Sequence, residues 1–107
     1  MPIASPRYPF TRENLTGAPE DPGVYALYEA DELIYVGRAE LPSNIRLRLL
    51  EHFFALLHLS KATHYAWEIC RHPRTRQEQL IQEFERAHFR RPRYNQGPTS
   101  QRRAAAG

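Results

Sequence analysis

Two strand-like segments joined by a polar turn limit the possible folds of this chain more than any other feature. Each segment has a glycine at its outer end. The runs VYALY (24–28) and LIYVG (33–37) are rich in β-branched, aromatic and apolar residues, and the polar stretch EADE (29–32) separates them. This pattern predicts a β-hairpin. Gly23 precedes the first run and Gly37 closes the second, and the tyrosines of Gly-Val-Tyr and Tyr-Val-Gly stand ten residues apart.

The register of the hairpin decides whether Tyr25 and Tyr35 can serve one site. Successive side chains of a strand point to opposite faces of the sheet. A turn with an odd number of residues centred on Ala30 pairs residue 25 with residue 35 and places both rings on one face. An even turn places them on opposite faces, and the sequence alone leaves both registers open.

Length and composition limit the chain to one small domain. Its 107 residues have room for a single modest core, and 41% apolar with 25% charged residues is typical of a globular protein. No apolar run approaches the roughly 20 residues that span a bilayer, and no signal peptide is recognisable, so we expect a cytoplasmic protein. Cys70 is the single cysteine, which excludes an intrachain disulfide and sites built on paired cysteines.

The middle of the chain predicts a helix and a third strand. Residues 45–59 contain no Gly or Pro and are dense in helix formers. Arg48 and His52, four residues apart on this helix, project together from one side. Residues 65–70 alternate between apolar and polar side chains, and we expect them to add a third strand to the hairpin.

A second helix is predicted between residue 75 and about residue 90. Thr75-Arg-Gln-Glu78 has the pattern of a capping box. The expected inward stripe of this helix comprises Leu80, Ile81, Phe84, Ala87 and His88. Glu83 falls at the border between that stripe and solvent. Residues 1–20 read as an irregular lead-in with one helical turn after Thr11, and residues 96–107 as a flexible basic tail.

Charge is distributed unevenly along the chain. The formal net charge is +3, but residues 1–40 carry −4 and residues 41–107 carry +7. Seven arginines surround the second predicted helix, namely Arg71, Arg74, Arg76, Arg86, Arg90, Arg91 and Arg93. Because arginine binds phosphate through a planar fork of donors, an anionic partner such as nucleic acid is one explanation. A solvated, arginine-rich face explains the same pattern.

Five sequence elements in a fixed order resemble the GIY-YIG endonuclease family. They are Pro22-Gly-Val-Tyr25, Ile34-Tyr-Val-Gly-Arg-Ala39, Asn44-Ile-Arg-Leu-Arg-Leu49, Glu78 with Glu83, and Arg91-Pro-Arg-Tyr-Asn95. The likeness is close to the N-terminal nuclease domain of a bacterial excision-repair endonuclease. It implies a nuclease domain over residues 21–95 with an α+β fold, in which helices flank a small, mainly antiparallel three-stranded sheet.

The same resemblance implies a catalytic role for five residues. Tyr25 would take a proton from the attacking water, and Tyr35 would orient that water or the phosphate. Arg48 would bind the scissile phosphate, and His52 would share in proton transfer or phosphate binding. Glu83 would hold one divalent cation, Mg²⁺ or Mn²⁺, at the leaving-group side. A tyrosine base needs a pKa below its ordinary value of about 10, and we expect nearby cations to lower the pKa of Tyr25.

Five further residues are predicted to bind nucleic acid or to support the site. They are Arg38, Arg46, Arg91, Arg93 and Asn95, and Asn95 would act by hydrogen bonding. Each site residue also has an ordinary structural explanation. Tyr25 and Tyr35 could be packing residues of a half-buried sheet, Arg48 and Glu83 solvated helix residues, and His52 a histidine with its hydrogen bonds satisfied within the helix.

The resulting prediction is a metal-dependent DNA endonuclease that hydrolyses phosphodiester bonds in repair, recombination or the processing of DNA structures. By resemblance the products carry a 5′-phosphate and a 3′-hydroxyl. The alternatives are a nucleic-acid-binding module that does not cut and a nuclease subunit that needs a targeting partner. A homodimer that reaches two strands is also open. The sequence does not choose between DNA and RNA, between the two metals or between substrate structures.

Overall fold

A computed structural model describes residues 3–54 and 61–96, in which a four-stranded antiparallel sheet has helices on both faces. The elements in chain order are β1 (Tyr8–Pro9), α1 (Arg12–Leu15), β2 (Gly23–Glu29), β3 (Glu32–Ala39), α2 (Ile45–Phe54), β4 (His64–Ile69), α3 (Pro73–His88) and a 3₁₀ turn (Arg93–Asn95). The strand order is β1-β4-β2-β3, so β3 is an edge strand. The predicted extension of the first helix to residue 59 and most of the basic tail lie outside the described residues.

The β2–β3 hairpin combines an even turn with a bulge. It turns over residues 30–31, and Ile34 has no partner on β2, so the register shifts by one residue there. Of the two registers that the sequence left open, the structure has the even turn, and Tyr25 faces Gly37 instead of Tyr35. Each extra residue in one strand reverses the alternation of faces. The bulge therefore returns Tyr25 and Tyr35 to one face, with ring centroids 6.2 Å apart.

The remaining strands extend the sheet beyond the three that the sequence predicts. β4 pairs with β2 along its length, as expected for the third strand. β1 is a fourth strand of two residues that pairs with Tyr65 and His64 of β4. A two-residue strand containing a proline has no alternating pattern, which is why the lead-in did not reveal it. The single helical turn predicted after Thr11 is confirmed, since the Thr11 hydroxyl accepts a hydrogen bond from the Asn14 N–H.

Two cores lie on opposite faces of the sheet. On the α2 face, residues of α1 and α2 pack against the tyrosine-bearing side of the hairpin; this core includes Leu15, Tyr25, Leu27, Ile34, Ile45, Leu49 and Tyr65. On the α3 face, the buried cluster consists of Val24, Val36, Leu80 and Ile81. The sheet thus separates side chains of α2 from most side chains of α3.

The third helix differs from its prediction at both ends. It begins at Pro73, a residue type favoured in the first turn, and Thr75 lies inside the helix and is not its cap. It ends at His88, where Phe89 adopts a left-handed conformation with φ 60°. The predicted inward stripe holds as far as Phe84, but Ala87 and His88 are exposed because the sheet-facing cluster ends before them.

Candidate active site

The two glycines of the hairpin make room for the groups around Tyr25. Tyr25 is fully buried at the centre of the α2 face. A Cβ atom on Gly37, directly opposite, would overlap the phenol carbons and the oxygen of Tyr25. A Cβ atom on Gly23 would overlap the backbone oxygen of Glu68 and approach Ile45 Cδ1 to 2.9 Å. The glycine-flanked triplets are therefore required by the packing of one buried tyrosine and of the strand beside it.

A hydrogen bond joins the hairpin to α2 at this point. The Tyr25 hydroxyl lies 2.7 Å from His52 Nε2. The His52 ring also packs between the two tyrosines, with centroids 5.5 Å from Tyr25 and 5.3 Å from Tyr35. His52 is held there because Leu49, one turn earlier on α2, is buried in the core of the same face. The structure thus brings together three of the five residues to which the resemblance gave a catalytic role.

Arg48 completes this cluster from the preceding turn of α2. Its positive charge acts on the Tyr25 phenol, whose pKa it lowers against the effect of burial, and its Nη1 lies 3.1 Å from Glu51 Oε1. Its Nε is buried and finds no hydrogen-bond partner among the described residues. An unpaired buried donor on a cation is a position at which an anionic oxygen would be stabilised.

Burial governs the ionisation of both tyrosines. Desolvation raises the pKa of Tyr25 far above its ordinary value, the neighbouring Tyr35 raises it further, and Arg48 opposes the change without reversing it. Desolvation also raises the pKa of Tyr35, against an opposing effect of Arg48. The predicted lowering of the Tyr25 pKa is wrong, because the loss of water around the phenol outweighs the nearby positive charge.

A polar pocket opens beside β3, next to this cluster. This edge pocket has a volume of about 410 Å³ and is lined by Tyr35, Arg38, Glu40, Leu41, Ser43, Arg48 and Gln77. Two guanidiniums face it against one carboxylate. Arg38 spans its wall, with Nε 3.0 Å from Glu40 Oε1 and Nη1 2.7 Å from Gln77 Oε1. The pocket is therefore suited to an anion such as a phosphate group.

Glu83 lies in a different place from the other predicted catalytic residues. It lines an apolar pocket of about 220 Å³ on the α3 face, together with residues such as Tyr28, Leu33 and Phe84. The structure does not bring it to the cluster of Tyr25, Arg48 and His52. Gln77 is the α3 residue that reaches the edge pocket. Its spacing to Leu80, Ile81 and Phe84 follows the inward face of a helix, a signal that the sequence contained.

Asn95 supports the hairpin from outside the sheet. Its side-chain oxygen accepts from the Val36 N–H at 2.7 Å, and its amide donates to the Val36 carbonyl at 3.0 Å. Gln77 donates to the same carbonyl at 3.0 Å. The predicted hydrogen-bonding role of Asn95 agrees with these contacts. Arg91, nearby, is partly exposed, and its backbone carbonyl accepts from the Gln96 amide.

Two arginines predicted to bind nucleic acid are engaged in ion pairs. Arg46 Nη1 lies 3.3 Å from Glu20 Oε2. Arg93 bridges Glu29 and Glu32 at the turn of the hairpin, at 2.7 Å and 2.6 Å. The structure therefore places Arg38 at the edge pocket, while Arg46 and Arg93 connect the basic second half of the chain to its acidic first half.

Acidic ligands for a metal ion are sparse at the site. The described residues contain no group of three or more His, Cys, Asp or Glu side chains positioned to hold a cation. The edge pocket has one carboxylate, Glu40, which is paired with Arg38. Hard divalent cations select anionic oxygens, and neighbouring guanidiniums repel them. The residues of the pocket do not fit a cation held by the protein alone.

The sheet, its helices and the hairpin geometry define the fold of the GIY-YIG endonuclease domains. The chain is similar to the magnesium-bound N-terminal GIY-YIG endonuclease domain of UvrC from Thermotoga maritima, at 22% identity and a TM-score of 0.63. The match covers 78% of this chain and 93% of that one. Two point mutants of that domain, each bound to its catalytic divalent cation, give TM-scores of 0.62 and 0.61 at 22% and 21% identity. They are covered to 92% and 91%, and each match spans 78% of this chain.

Other comparisons add nothing to this assignment of the fold. No family model matches the chain, and no curated protein does. In the part of the chain that the structure describes, no helix is long and apolar enough to cross a membrane.

Proposed function

We propose that this chain is an endonuclease that hydrolyses phosphodiester bonds in nucleic acid, with DNA as the first substrate to test. The observation that carries the proposal is the hydrogen bond between the buried Tyr25 hydroxyl and His52, in a cluster where the charge of Arg48 also acts on the phenol. The partner of the buried phenol is a titratable ring nitrogen, which can accept a proton, whereas packing alone requires no more than a neutral acceptor. The similarity to endonuclease domains supports the same conclusion at the level of the fold.

The chemistry follows from the raised pKa of Tyr25. Because its phenolate is scarce at neutral pH, Tyr25 acts as a relay: its oxygen takes a proton from the attacking water while its own proton passes to His52 Nε2. The hydroxide oxygen bonds to phosphorus, the bond to the leaving oxygen breaks, and that oxygen takes a proton from solvent. Arg48 stabilises the charge that accumulates on the phosphate, and Tyr35 orients the water.

A divalent cation, Mg²⁺ or Mn²⁺, belongs to the proposal as a cofactor, since the similar UvrC domains are bound to one. Such a cation would stabilise charge on phosphate oxygens. Glu83 is not proposed as the ligand of this cation, because it lines the apolar pocket on the α3 face.

Plasmid cleavage tests the proposed activity. The purified protein is incubated with supercoiled plasmid and with branched duplexes in Mg²⁺, in Mn²⁺ and with chelator. We expect nicking with a cation and a loss of about 10²-fold or more in Tyr25→Phe and His52→Asn, because general acid–base steps contribute that much. Tyr28→Phe, a tyrosine that lines the pocket on the α3 face, is the matched control and should cut normally. Cleavage that survives Tyr25→Phe would contradict the relay.

A nucleic-acid-binding module that does not cut is the second candidate. It is favoured by one observation, namely that α3 presents the neutral Gln77 to the edge pocket. Binding of duplexes without nicking under every condition would support it. Roles in DNA repair or recombination, a targeting partner or homodimer, and a cytoplasmic location remain predictions.

A further inference from the structure

On the α3 side, the wall of the edge pocket is formed by the side-chain amide of Gln77, whose oxygen and nitrogen both make hydrogen bonds. Gln77 Oε1 accepts from Arg38 Nη1 at 2.7 Å, and Gln77 Nε2 donates to the Val36 carbonyl at 3.0 Å. Both contacts fix the orientation of the amide, because exchanging its oxygen and nitrogen would place a donor against Arg38. The side chain is therefore held as a neutral group whose oxygen already serves a cation of the protein.

The carboxylates of Glu40 and Glu83 are no better placed than Gln77 to hold a cation in the edge pocket. Glu40 Oε1 is paired with Arg38 Nε at 3.0 Å. Glu83, the carboxylate assigned to the cation by its position in the sequence, faces the apolar pocket on the α3 face. Two guanidiniums, those of Arg38 and Arg48, also line the edge pocket. A cation entering it without substrate would meet repulsion and find no unpaired carboxylate among the described residues.

We infer that the described residues hold no divalent cation in the edge pocket of the free protein. Gln77 determines this, because it places a neutral amide on the pocket wall where a carboxylate would bind a cation. The pocket instead receives a substrate phosphate on Arg38 and Arg48, and any cation arrives bound to that phosphate. An acidic residue at position 77 would add a second carboxylate beside the same Arg38, and the two carboxylates around one guanidinium would leave negative charge to hold a cation. The inference rests on the proposed function for its substrate, but its central claim concerns the free protein.

Titration of Mn²⁺ into the free protein, followed by the electron paramagnetic resonance signal of unbound Mn²⁺, tests this claim without any substrate. We expect the wild type to leave the signal unchanged. Gln77→Glu should bind one ion, at least about tenfold more tightly than the wild type, as expected when an anionic ligand is added. Gln82→Glu is the matched control, because it adds the same charge at an exposed position of α3.

The possible results separate clearly. A wild-type protein that binds one Mn²⁺, with binding lost in Glu83→Gln or Glu40→Gln, would overturn the inference. A folded Gln77→Glu that binds no better than Gln82→Glu would overturn the role given to position 77, and Gln77→Asp is measured if the first variant does not fold. Failure of the wild type to nick plasmid would count against the proposed function alone, because the Mn²⁺ titration involves no nucleic acid.

Discussion

At the scale of single residues, the site depends on the missing side chain of Gly37 as much as on the side chains that are present. Tyr25 can be fully buried and still reach His52 only because Gly37 has no side chain at the position that the phenol occupies. The glycine is needed for close approach of a side chain, and not for an unusual backbone conformation, since no left-handed φ is found there. The glycine of Tyr-Val-Gly and the tyrosine of Gly-Val-Tyr are thus the two partners of one contact, between Gly37 and Tyr25.

Gly37→Ala should damage stability and activity together. The added methyl group overlaps Tyr25, so the ring must move away from His52, and overpacking of this kind costs about 1–3 kcal/mol. Denaturant unfolding and plasmid nicking measure the two effects. Gly17→Ala is the matched control, because its Cβ would meet only the Asn14 oxygen at an ordinary 3.4 Å. Equal stability of the two variants would show that the Tyr25 ring has room to shift.

At the scale of elements, the sequence predicted which segments form the site and missed how one strand is registered. Three of the four strands, the helix after the hairpin and the position of Arg48 and His52 four residues apart on it followed from periodicity and spacing. The even turn could not be read from its residues, since Ala30 takes a left-handed φ of 54° without being glycine. Nor could the bulge at Ile34, because an extra apolar residue in an apolar run leaves no mark on the pattern.

The structure places Glu83 away from the other predicted catalytic residues, for a reason at the same scale. The resemblance assigned the cation to Glu83, but the α3 residue that meets Asn95 at the Val36 carbonyl is Gln77, six residues earlier in the helix. Helical phase, and not distance along the sequence, decides which side chains reach the sheet edge. The residue in phase with Leu80 and Phe84 on that side is Gln77, which is neither charged nor part of an obvious motif.

Two substitutions of Asn95 separate the contributions of its two hydrogen bonds to the stability of the edge strand β3. Asn95→Ala leaves the Val36 N–H, which is buried, without its acceptor, and we expect a loss of about 1–3 kcal/mol. Asn95→Asp keeps the acceptor and loses only the bond to the Val36 carbonyl, which Gln77 still serves. Denaturant unfolding should therefore rank the aspartate variant between the wild type and the alanine variant. Equal losses would show that the bond to the Val36 N–H is not the dominant contribution.

At the scale of the whole molecule, the fold pairs the two oppositely charged halves of the chain. Arg46 with Glu20, and Arg93 with Glu29 and Glu32, join arginines of the second half to acids of the first. These pairs are partly exposed, so each contributes little to stability. Their larger effect is on function, because they neutralise arginines that the sequence suggested for binding nucleic acid. Arg38 and Arg48 are also paired, with Glu40 and Glu51, but both line the edge pocket, where two guanidiniums stand against one carboxylate.

The buried tyrosines should make the whole fold sensitive to alkaline pH. The folded-state pKa of Tyr25 is raised by burial, while in the unfolded chain the phenol titrates near 10. Above that pH the unfolded state binds fewer protons than the folded state, so the free energy of unfolding falls as pH rises. Each such tyrosine lowers it by up to about 1.4 kcal/mol per pH unit until its folded-state pKa is reached.

Denaturant unfolding between pH 8 and pH 11 measures this decline, over a range set by the ordinary tyrosine pKa of about 10. Tyr25→Phe removes one contributing group, so its stability should fall less steeply than that of the wild type above pH 10. Some decline should persist, because burial also raises the pKa values of Tyr35 and Tyr65. Tyr28→Phe serves as the control for loss of a hydroxyl on the opposite face. Parallel curves for Tyr25→Phe and the wild type would mean that folding does not raise the pKa of Tyr25, which would remove the reason for a relay through His52.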